Sequence, residues 1–171
     1  ENAISALDVY VFASETENGD YSFMERFAYR NTPDAVLPAG ASELQLTPTD
    51  ADAKATPGLL KVKKGLFVKL YCIANNTTLV DPAHEGQPVD DAAFVPLELS
   101  TTDDNKTTVK TPGVPLETTF ATWHTHLLTS TVQADTLATP LAMTGALITP
   151  LDLTDFGSAA RVQAGIRLTR L

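Results

Sequence analysis

The hydrophobic pattern is clearest in residues 59–76, the longest apolar stretch of the chain. Apolar residues recur there with a period of two, which is typical of β-strands, whereas a helix shows a period near 3.6. In residues 66–73 both alternating faces are largely apolar, so we expect a central strand covered on both sides. A shorter strand at 60–63 and a turn at Lys64-Gly65 are predicted before it, and Asn75 is predicted to end it because Asn tolerates left-handed backbone angles.

The pattern also predicts a hairpin near the start of the chain. Residues 4–12 are rich in β-branched and aromatic residues, and both alternating faces are largely apolar: Leu7, Val9 and Val11 on one, Asp8, Tyr10 and Phe12 on the other. Residues 21–29 follow as a second strand, with Phe23, Glu25 and Phe27 opposite Met24, Arg26 and Ala28. Asn18-Gly19 lies between them, and this dipeptide is a strong signal for a tight hairpin turn. The two segments are therefore predicted to pair in an antiparallel manner.

One helix is predicted in the second half of the chain. Leu116, Phe120, Trp123 and Leu127 recur at steps of four, three and four, and Pro115 occupies a position that suits a first helical turn. The apolar stripe is expected to lie on a sheet or across its end.

The remaining segments give weaker predictions. Short strands are expected at 44–46, 94–99, 141–153 and 160–171, with a brief helical turn at 51–55. About eight short strands with a single helix indicate one all-β domain over residues 1–171, an antiparallel β-sandwich, because a doubly wound α/β fold needs several helices between its strands. A chain of this length can bury a substantial core.

The charge and the cysteine count narrow the function. The formal net charge is −9, from 12 basic and 21 acidic residues, which disfavours binding to nucleic acid. The one cysteine, Cys72, excludes an intrachain disulfide, and its place on an apolar strand face predicts a buried, unreactive thiol. We expect no membrane-spanning segment and no signal peptide in the chain as it stands, which suits a trimmed, mature form of an exported protein.

Few residues indicate catalysis or metal binding. His124 and His126 are two positions apart, but on a helix such neighbours point in directions about 200° apart, so they are not expected to chelate a metal together. The pairs Asp90-Asp91 and Asp103-Asp104 fit solvated acidic loops better than acid-base or calcium chemistry. We therefore predict a protein that is not an enzyme and that has no metal site and no cofactor.

Four segments carry a family likeness: ISALDVYVF at 4–12, LKVKKG through VKLYCIAN within 60–75, LAMTG at 141–145 and VQAGIRLTRL at 162–171. Taken in order, they resemble the N-terminal domain of the fimbrillins, the subunits of Bacteroidales surface fimbriae. The resemblance implies a transthyretin-like Greek-key sandwich and a structural subunit of a fimbria, or pilus, that contributes to adhesion.

The resemblance also implies a route of assembly. Fimbrillins are exported as lipoprotein precursors to the outer membrane, where an arginine-specific protease removes an N-terminal strand. The opened groove then accepts a strand from the next subunit, so the implied partners are other fimbrial subunits, with ligands on host or bacterial surfaces. The chain starts about where a processed subunit starts and stops about where a second domain is expected, so we expect a shortened form or a piece of a longer chain whose processing site precedes Glu1.

Six apolar residues are the candidates for lining the acceptor groove. On this hypothesis the removed strand lay beside residues 4–12 or beside the closing strand, and each candidate can also be an ordinary core residue. The candidates are Leu7, Val9, Val11, Val162, Ile166 and Leu168.

Two other functions stay open at the level of the sequence. The first is a tip adhesin or glycan-binding sandwich that does not itself polymerise, with its site in loops such as 81–93 and 101–113. The second is a metal-dependent hydrolase around His124 and His126.

Overall fold

A computed structural model of the protein describes residues 4–46, 62–63, 65–76, 78–84, 87–102, 106–130, 142–154 and 166–170. Within these ranges the chain forms eight strands, one α-helix and a 3₁₀ turn at Asp91–Ala93. The helix is α1 (Glu117–Ser130). The strands are β1 (Ala6–Ser14), β2 (Ser22–Arg30), β3 (Ser42–Glu43), β4 (Phe67–Ala74), β5 (Glu98–Thr101), β6 (Thr107–Thr111), β7 (Met143–Asp152) and β8 (Thr169–Arg170).

The strands form two sheets. Six of them form the main sheet in the order β3-β2-β1-β4-β7-β8, and β5 and β6 form a separate hairpin. The mostly-β class with one helix is confirmed. The prediction that all strands pair antiparallel is wrong at one edge, where β3 runs parallel to β2. The reason is that the loop after Arg30 carries the chain back to the level of Phe27 before β3 begins.

The predicted N-terminal hairpin is confirmed, but the tight turn expected at Asn18-Gly19 is wrong: residues 15–21 separate the two strands, and neither Asn18 nor Gly19 has the positive φ that such a turn requires. β1 pairs antiparallel with β2, with Val9 opposite Phe27 and Tyr10 opposite Arg26. The register shifts after Val11, which is the position of a β-bulge.

The predicted central strand is also confirmed. β4 lies between β1 and β7 and pairs antiparallel with both. Gly65 precedes it with φ of 107°, a value that favours glycine, and Asn75 follows it with φ of 60°, in the left-handed region where Asn is tolerated. The Asn75 side chain accepts hydrogen bonds from the backbone N–H groups of Ser5, at 2.8 Å, and Ala6, at 3.3 Å, so the end of β4 is tied to the start of β1.

Each face of the main sheet carries its own apolar cluster, because alternate residues of β1 and β4 point to opposite sides. We name the sides after what covers them. The helix face carries mostly aromatic residues of the sheet: Tyr10, Phe12, Phe23, Tyr71 and Ile73. Three residues of α1 pack against them: Phe120, Trp123 and Leu127. The hairpin face carries mostly aliphatic residues, and Leu99 of β5 and Val109 of β6 pack against it: Leu7, Val9, Val11, Val68, Leu70, Cys72 and Met143.

The predicted helix exists, but its start is displaced. α1 begins at Glu117, so Pro115 and Leu116 precede it, and Leu116 is 42% exposed instead of part of the buried stripe. The cause is pairing with β2: the Phe23 N–H donates to the Pro115 carbonyl at 3.0 Å, and the Glu117 N–H donates to the Tyr21 carbonyl at 2.8 Å. This extended pairing keeps the segment out of helical geometry until Glu117.

The weaker predictions have mixed outcomes. β7 confirms a strand within 141–153, and β5 lies at the end of the predicted 94–99 segment. The short strand predicted at 44–46 is found two residues earlier as β3, with Leu44 buried behind it. Residues 62–63 are not in a strand. The predicted turn at 51–55 and most of the closing strand, apart from β8, lie outside the described residues.

Candidate functional site

The outer edge of β7 is the open edge of the main sheet in the described part of the chain. On its inner side β7 pairs with β4 at residues 143–147 and again at Leu151 and Asp152, with a shift of register across residues 148–150. On its outer side β8 pairs with Met143 and Thr144, and the segment before β8 lies against Gly145 through the Arg167 carbonyl and the Ile166 side chain. Among the described residues, no strand is paired with the outer side of residues 146–152. Such an edge presents backbone N–H and C=O groups that can pair with another strand.

The opposite edge of the main sheet, along β2, is covered at both of its ends. β3 pairs with β2 at Phe27 and Ala28. Farther along, the segment that leads into α1 forms backbone hydrogen bonds with Tyr21 and Phe23.

The side chains along the open edge alternate in exposure. Leu147 and Leu151 are partly buried and pack against the cluster of the hairpin face. Ile148 is 60% exposed, which leaves an apolar side chain in solvent on the other side of the strand. Pro150 has no backbone N–H, a feature that limits pairing and is tolerated on edge strands. Residues 146–149 are thus the best suited for pairing.

The structure brings five of the six groove candidates to one face. Leu7, Val9 and Val11 are buried on β1, and Ile166 and Leu168 are partly buried against the same apolar cluster of the hairpin face. The sixth, Val162, lies outside the described residues. Their role in a groove stays a prediction.

One of the two positions suggested for the removed strand, the one beside β1, is already occupied by neighbouring strands. β1 pairs with β2 on one side and with β4 on the other, so no strand can be added beside it in this fold. In the described residues the closing strand is represented by β8, which itself lies next to β7, so the position beside the closing strand is the outer side of β8.

A cluster of charges, all largely buried except Asp91, holds the helix face together. The guanidinium of Arg26, whose side chain is 4% exposed, contacts Asp8 at 3.0 Å and Asp91 at 2.6 Å, and Arg30 contacts Asp8 at 3.1 Å. Burial by itself would lower the pKa of Arg26, but the neighbouring Tyr10, Asp8 and Asp91 outweigh it and raise that pKa. The cluster is fully paired, so its arrangement fits a structural role.

The two helix histidines are placed differently from a metal site. The His124 ring packs edge-on against Tyr71, with 5.3 Å between ring centroids, and burial lowers the pKa of His124. In the described residues, no group of three or more His, Cys, Asp and Glu side chains is arranged to hold a metal ion. Nor does any helix there combine the length and the apolar character needed to cross a bilayer.

The acidic loop predicted as an alternative binding region borders a cavity of about 320 Å³. Asp81, Gln87 and Asp90 line it from the loop, and Trp123 lines it from α1. We call it the acidic cavity.

No protein-family model, curated protein or solved structure matches the chain. The resemblance to the fimbrillins stays a prediction from the sequence.

Sequence reasoning missed two features of these surfaces. Asp8 interrupts an apolar strand, and Arg26 interrupts the strand predicted to pair with it, so a search for opposite charges across the hairpin would have found this pair. The approach of Trp123 to the acidic loop has no such signal, because residues about 40 positions apart meet only in the folded chain.

Proposed function

We propose that the protein is a structural, non-enzymatic subunit of a cell-surface fimbria that assembles by β-strand addition. The open outer edge of β7 carries this proposal, because no strand is paired with the outer side of residues 146–152 in the described structure. The order of the four fimbrillin-like segments supports the same function. The proposed partners are other fimbrial subunits, and the proposed location is the outer surface of the cell, reached through a lipoprotein precursor that an arginine-specific protease trims.

The incoming strand would extend the main sheet. Its backbone would pair with residues 146–149 of β7, and main-chain hydrogen bonds would supply much of the affinity. One of its side chains would lie beside Leu147, which packs against the hairpin face, and another would lie beside the exposed Ile148. Burial of the exposed Ile148 side chain would add roughly 1 to 2 kcal/mol of hydrophobic stabilisation.

A cysteine-protection experiment tests the proposal. The native Cys72 is buried, and burial raises the pKa of its thiol to about 12, so it gives little background reaction. A cysteine at Ile148→Cys should react with a maleimide in the isolated subunit. In fibres isolated from cells that produce the variant, its labelling should be slower by about tenfold or more, since a paired strand must open before the thiol reacts.

Thr118→Cys is the matched control, because Thr118 is an exposed residue that lies on α1 and not on a strand. It should be labelled at similar rates in the subunit and in fibres. Equal labelling of both cysteines in fibres would exclude β7 as the acceptor edge. Isolated surface fibres that lack the protein would exclude the fimbrial function altogether.

A further inference from the structure

The segment that joins β1 to β2 is exposed and acidic, although both strands are buried. All of residues 15–20 except Gly19 are exposed, whereas Ser14 before them and Tyr21 after them belong to the buried part of the chain. Asn18 therefore lies in water, in the loop of a hairpin whose two strands are fixed in the main sheet.

The side-chain amide of Asn18 is not held by the rest of the loop. It forms no hydrogen bond with another residue of the described ranges. The neighbouring residues hold the loop instead: the Thr16 N–H donates to the Ser14 hydroxyl at 3.2 Å, and the Tyr21 hydroxyl donates to the Glu17 carbonyl at 2.7 Å. The Asn18 side chain can thus turn its amide carbon, Cγ, toward the backbone nitrogen that follows it.

The residue that supplies this nitrogen, Gly19, is favoured by the space around it. A Cβ atom at this position would lie 2.3 Å from Oγ1 of Thr16 and 2.6 Å from Oγ of Ser14, so a side chain would force both hydroxyls to move. The backbone angle is not the reason, because φ of Gly19 is not positive. The fold consequently favours, directly after Asn18, the residue whose lack of a side chain shields its own backbone nitrogen least.

One hydrogen bond protects the Gly19 nitrogen. Its N–H donates to the Thr16 carbonyl at 3.2 Å, which is at the long end of the usual range. The bond lies in an exposed loop, where backbone hydrogen bonds open at little cost in free energy. Once it opens, water reaches the nitrogen and can remove its proton. The bond therefore slows a reaction of this nitrogen but does not prevent it.

We propose that Asn18 is a site of spontaneous deamidation. Hydroxide removes the proton of the Gly19 N–H, and the nitrogen attacks Cγ of Asn18 to form a new N–Cγ bond and a succinimide ring. The Cγ–Nδ2 bond breaks, and the leaving nitrogen takes a proton from water and departs as ammonia. Water then opens the ring at either carbonyl and leaves aspartate or isoaspartate. Water is the co-reactant, and nothing is oxidised or reduced.

The reaction would change the loop in two ways. Either product adds a carboxylate to a segment that already carries Glu15, Glu17 and Asp20. Isoaspartate also carries the main chain through its Cβ atom, which lengthens the backbone just before Gly19 and displaces the N–H that bonds to Thr16. Both changes lie between the strands, so the pairing of β1 with β2 should persist.

The other asparagines of the described ranges are less suited to this reaction. Asn31 is also exposed, but Thr32 follows it, and a β-branched side chain crowds the nitrogen that must attack. Asn75 and Asn76 use their side-chain oxygens to accept backbone N–H groups, at 2.8 Å and 2.9 Å, which holds their amides in place. Asn31 is thus the matched internal control, since it shares the exposure of Asn18 but not the glycine.

Peptide mapping by mass spectrometry tests the site. The whole folded protein is kept for several weeks at mildly alkaline pH, sampled at intervals and digested. The Asn18 peptide should gain the mass that accompanies exchange of an amide for a carboxyl group and should separate into aspartate and isoaspartate forms. Asn31 should convert at least about tenfold more slowly, a difference of about 1.4 kcal/mol in activation free energy. Both reactions should slow at mildly acidic pH, where hydroxide is scarce.

A parallel sample in urea tests the structural part of the argument. Only the hydrogen bond from Gly19 to Thr16 has to open in the folded protein, so Asn18 should react within about tenfold of its rate in the unfolded chain. Circular dichroism of the sample without urea verifies that the protein stays folded during the incubation.

Two variants test the chemistry. Thr32→Gly places a glycine after Asn31 in an exposed loop and should raise the conversion of Asn31 toward that of Asn18. Asn18→Gln keeps an amide at position 18 but should not react on this timescale, because its longer side chain would have to close a larger ring. Asn18→Asp supplies the reference for the aspartate product in the chromatographic separation.

Three results would overturn the proposal: an Asn18 peptide that stays unchanged in the folded protein, conversion of Asn31 as fast as that of Asn18, or a folded protein that reacts more than about a hundredfold more slowly than the unfolded chain. The experiment uses the unassembled protein and involves no sheet edge. Its outcome is therefore independent of strand addition at β7.

Discussion

Asp8 and Arg26 are the two charged residues that the described structure buries most completely, at 1% and 4% exposure. Both lie on the helix face, where the Tyr10 ring is 4.9 Å from the Arg26 guanidinium carbon. Two arginines and two aspartates share this environment, so each charge has an opposite charge within 3.1 Å. A cluster of this kind contributes little net stability when complete, but it is costly to break.

We expect Asp8→Asn to destabilise the protein by about 3 to 5 kcal/mol, because Arg30 loses its carboxylate partner and Arg26 keeps only Asp91. The measurement is the free energy of unfolding in urea at neutral pH. The exposed Asp34→Asn is the control and should change it by no more than about 0.5 kcal/mol. A loss below about 1 kcal/mol for Asp8→Asn would mean that water or a neighbouring group replaces the missing charge.

Helix α1 depends on a few residues that fill the aromatic cluster of the helix face. Phe120 is fully buried and lies 4.7 Å from the Tyr10 ring, 5.0 Å from the Phe12 ring and 5.2 Å from the Tyr71 ring, measured between centroids. Leu116, which the periodic stripe places on the same side, is instead held in an extended segment and half exposed.

This difference predicts unequal costs for two truncations. Phe120→Ala should lower the free energy of unfolding by about 3 to 5 kcal/mol, since it opens a cavity among three rings. Leu116→Ala should cost at most about 1 kcal/mol, because much of its side chain is already in water. Urea unfolding of the two variants side by side checks this. Equal losses would indicate that Leu116 packs within the helix stripe after all.

At the scale of the whole molecule, burial on both faces of the central strands keeps a thiol and two tyrosine hydroxyls from losing their protons at high pH. Burial raises the pKa of the Cys72 thiol to about 12, and it is also the main cause that raises the pKa values of Tyr10 and Tyr71 above their usual range. In the unfolded chain these groups lose their protons at about pH 8.5 to 10. The unfolded state is therefore favoured progressively as the pH rises through that range and beyond it.

Stability should consequently be full below about pH 8.5 and fall as the pH rises toward 12. The measurement is the free energy of unfolding at several pH values between 8 and 11. In Cys72→Ala the fall should be shallower by about 1.4 kcal/mol per pH unit above pH 9, because one proton fewer is linked to unfolding. The comparison uses the change in the free energy of unfolding per pH unit and not its absolute value, since the truncation also opens a small cavity. Identical slopes would show that Cys72 ionises in the folded protein.

Much of the fold could be predicted because it depends on neighbouring residues. The period-two pattern, Asn18-Gly19 and the stripe of Phe120 and Trp123 are local, and they led to β1, β2, β4 and α1. The β3 direction and the start of α1 could not be predicted in the same way. Each is decided by backbone pairing with β2, which no local pattern reports.

The candidate sites also differ in whether a local pattern of the sequence could predict them. That Leu7, Val9 and Val11 share a face follows from alternation alone. The strand order decides that β1 is enclosed on both sides. It also decides that residues 146–152 of β7 have no strand paired with their outer side among the described residues. The acidic cavity likewise needs the fold, because it joins a loop to a helix.

The sequence by itself therefore determined the β-rich class, the hairpin, the two-faced central strand, the single helix and the buried thiol. Short-range spacing governs all of these, because side-chain direction repeats every two residues in a strand and about every 3.6 in a helix. The tertiary structure alone decided the strand order, in which β7 and β8 are the last strands among the described residues, that Arg26 meets Asp91 across 65 positions, and that Trp123 lines a cavity beside the acidic loop. These features arise from strand order and long-range packing, and so they have no counterpart in the local pattern of the chain.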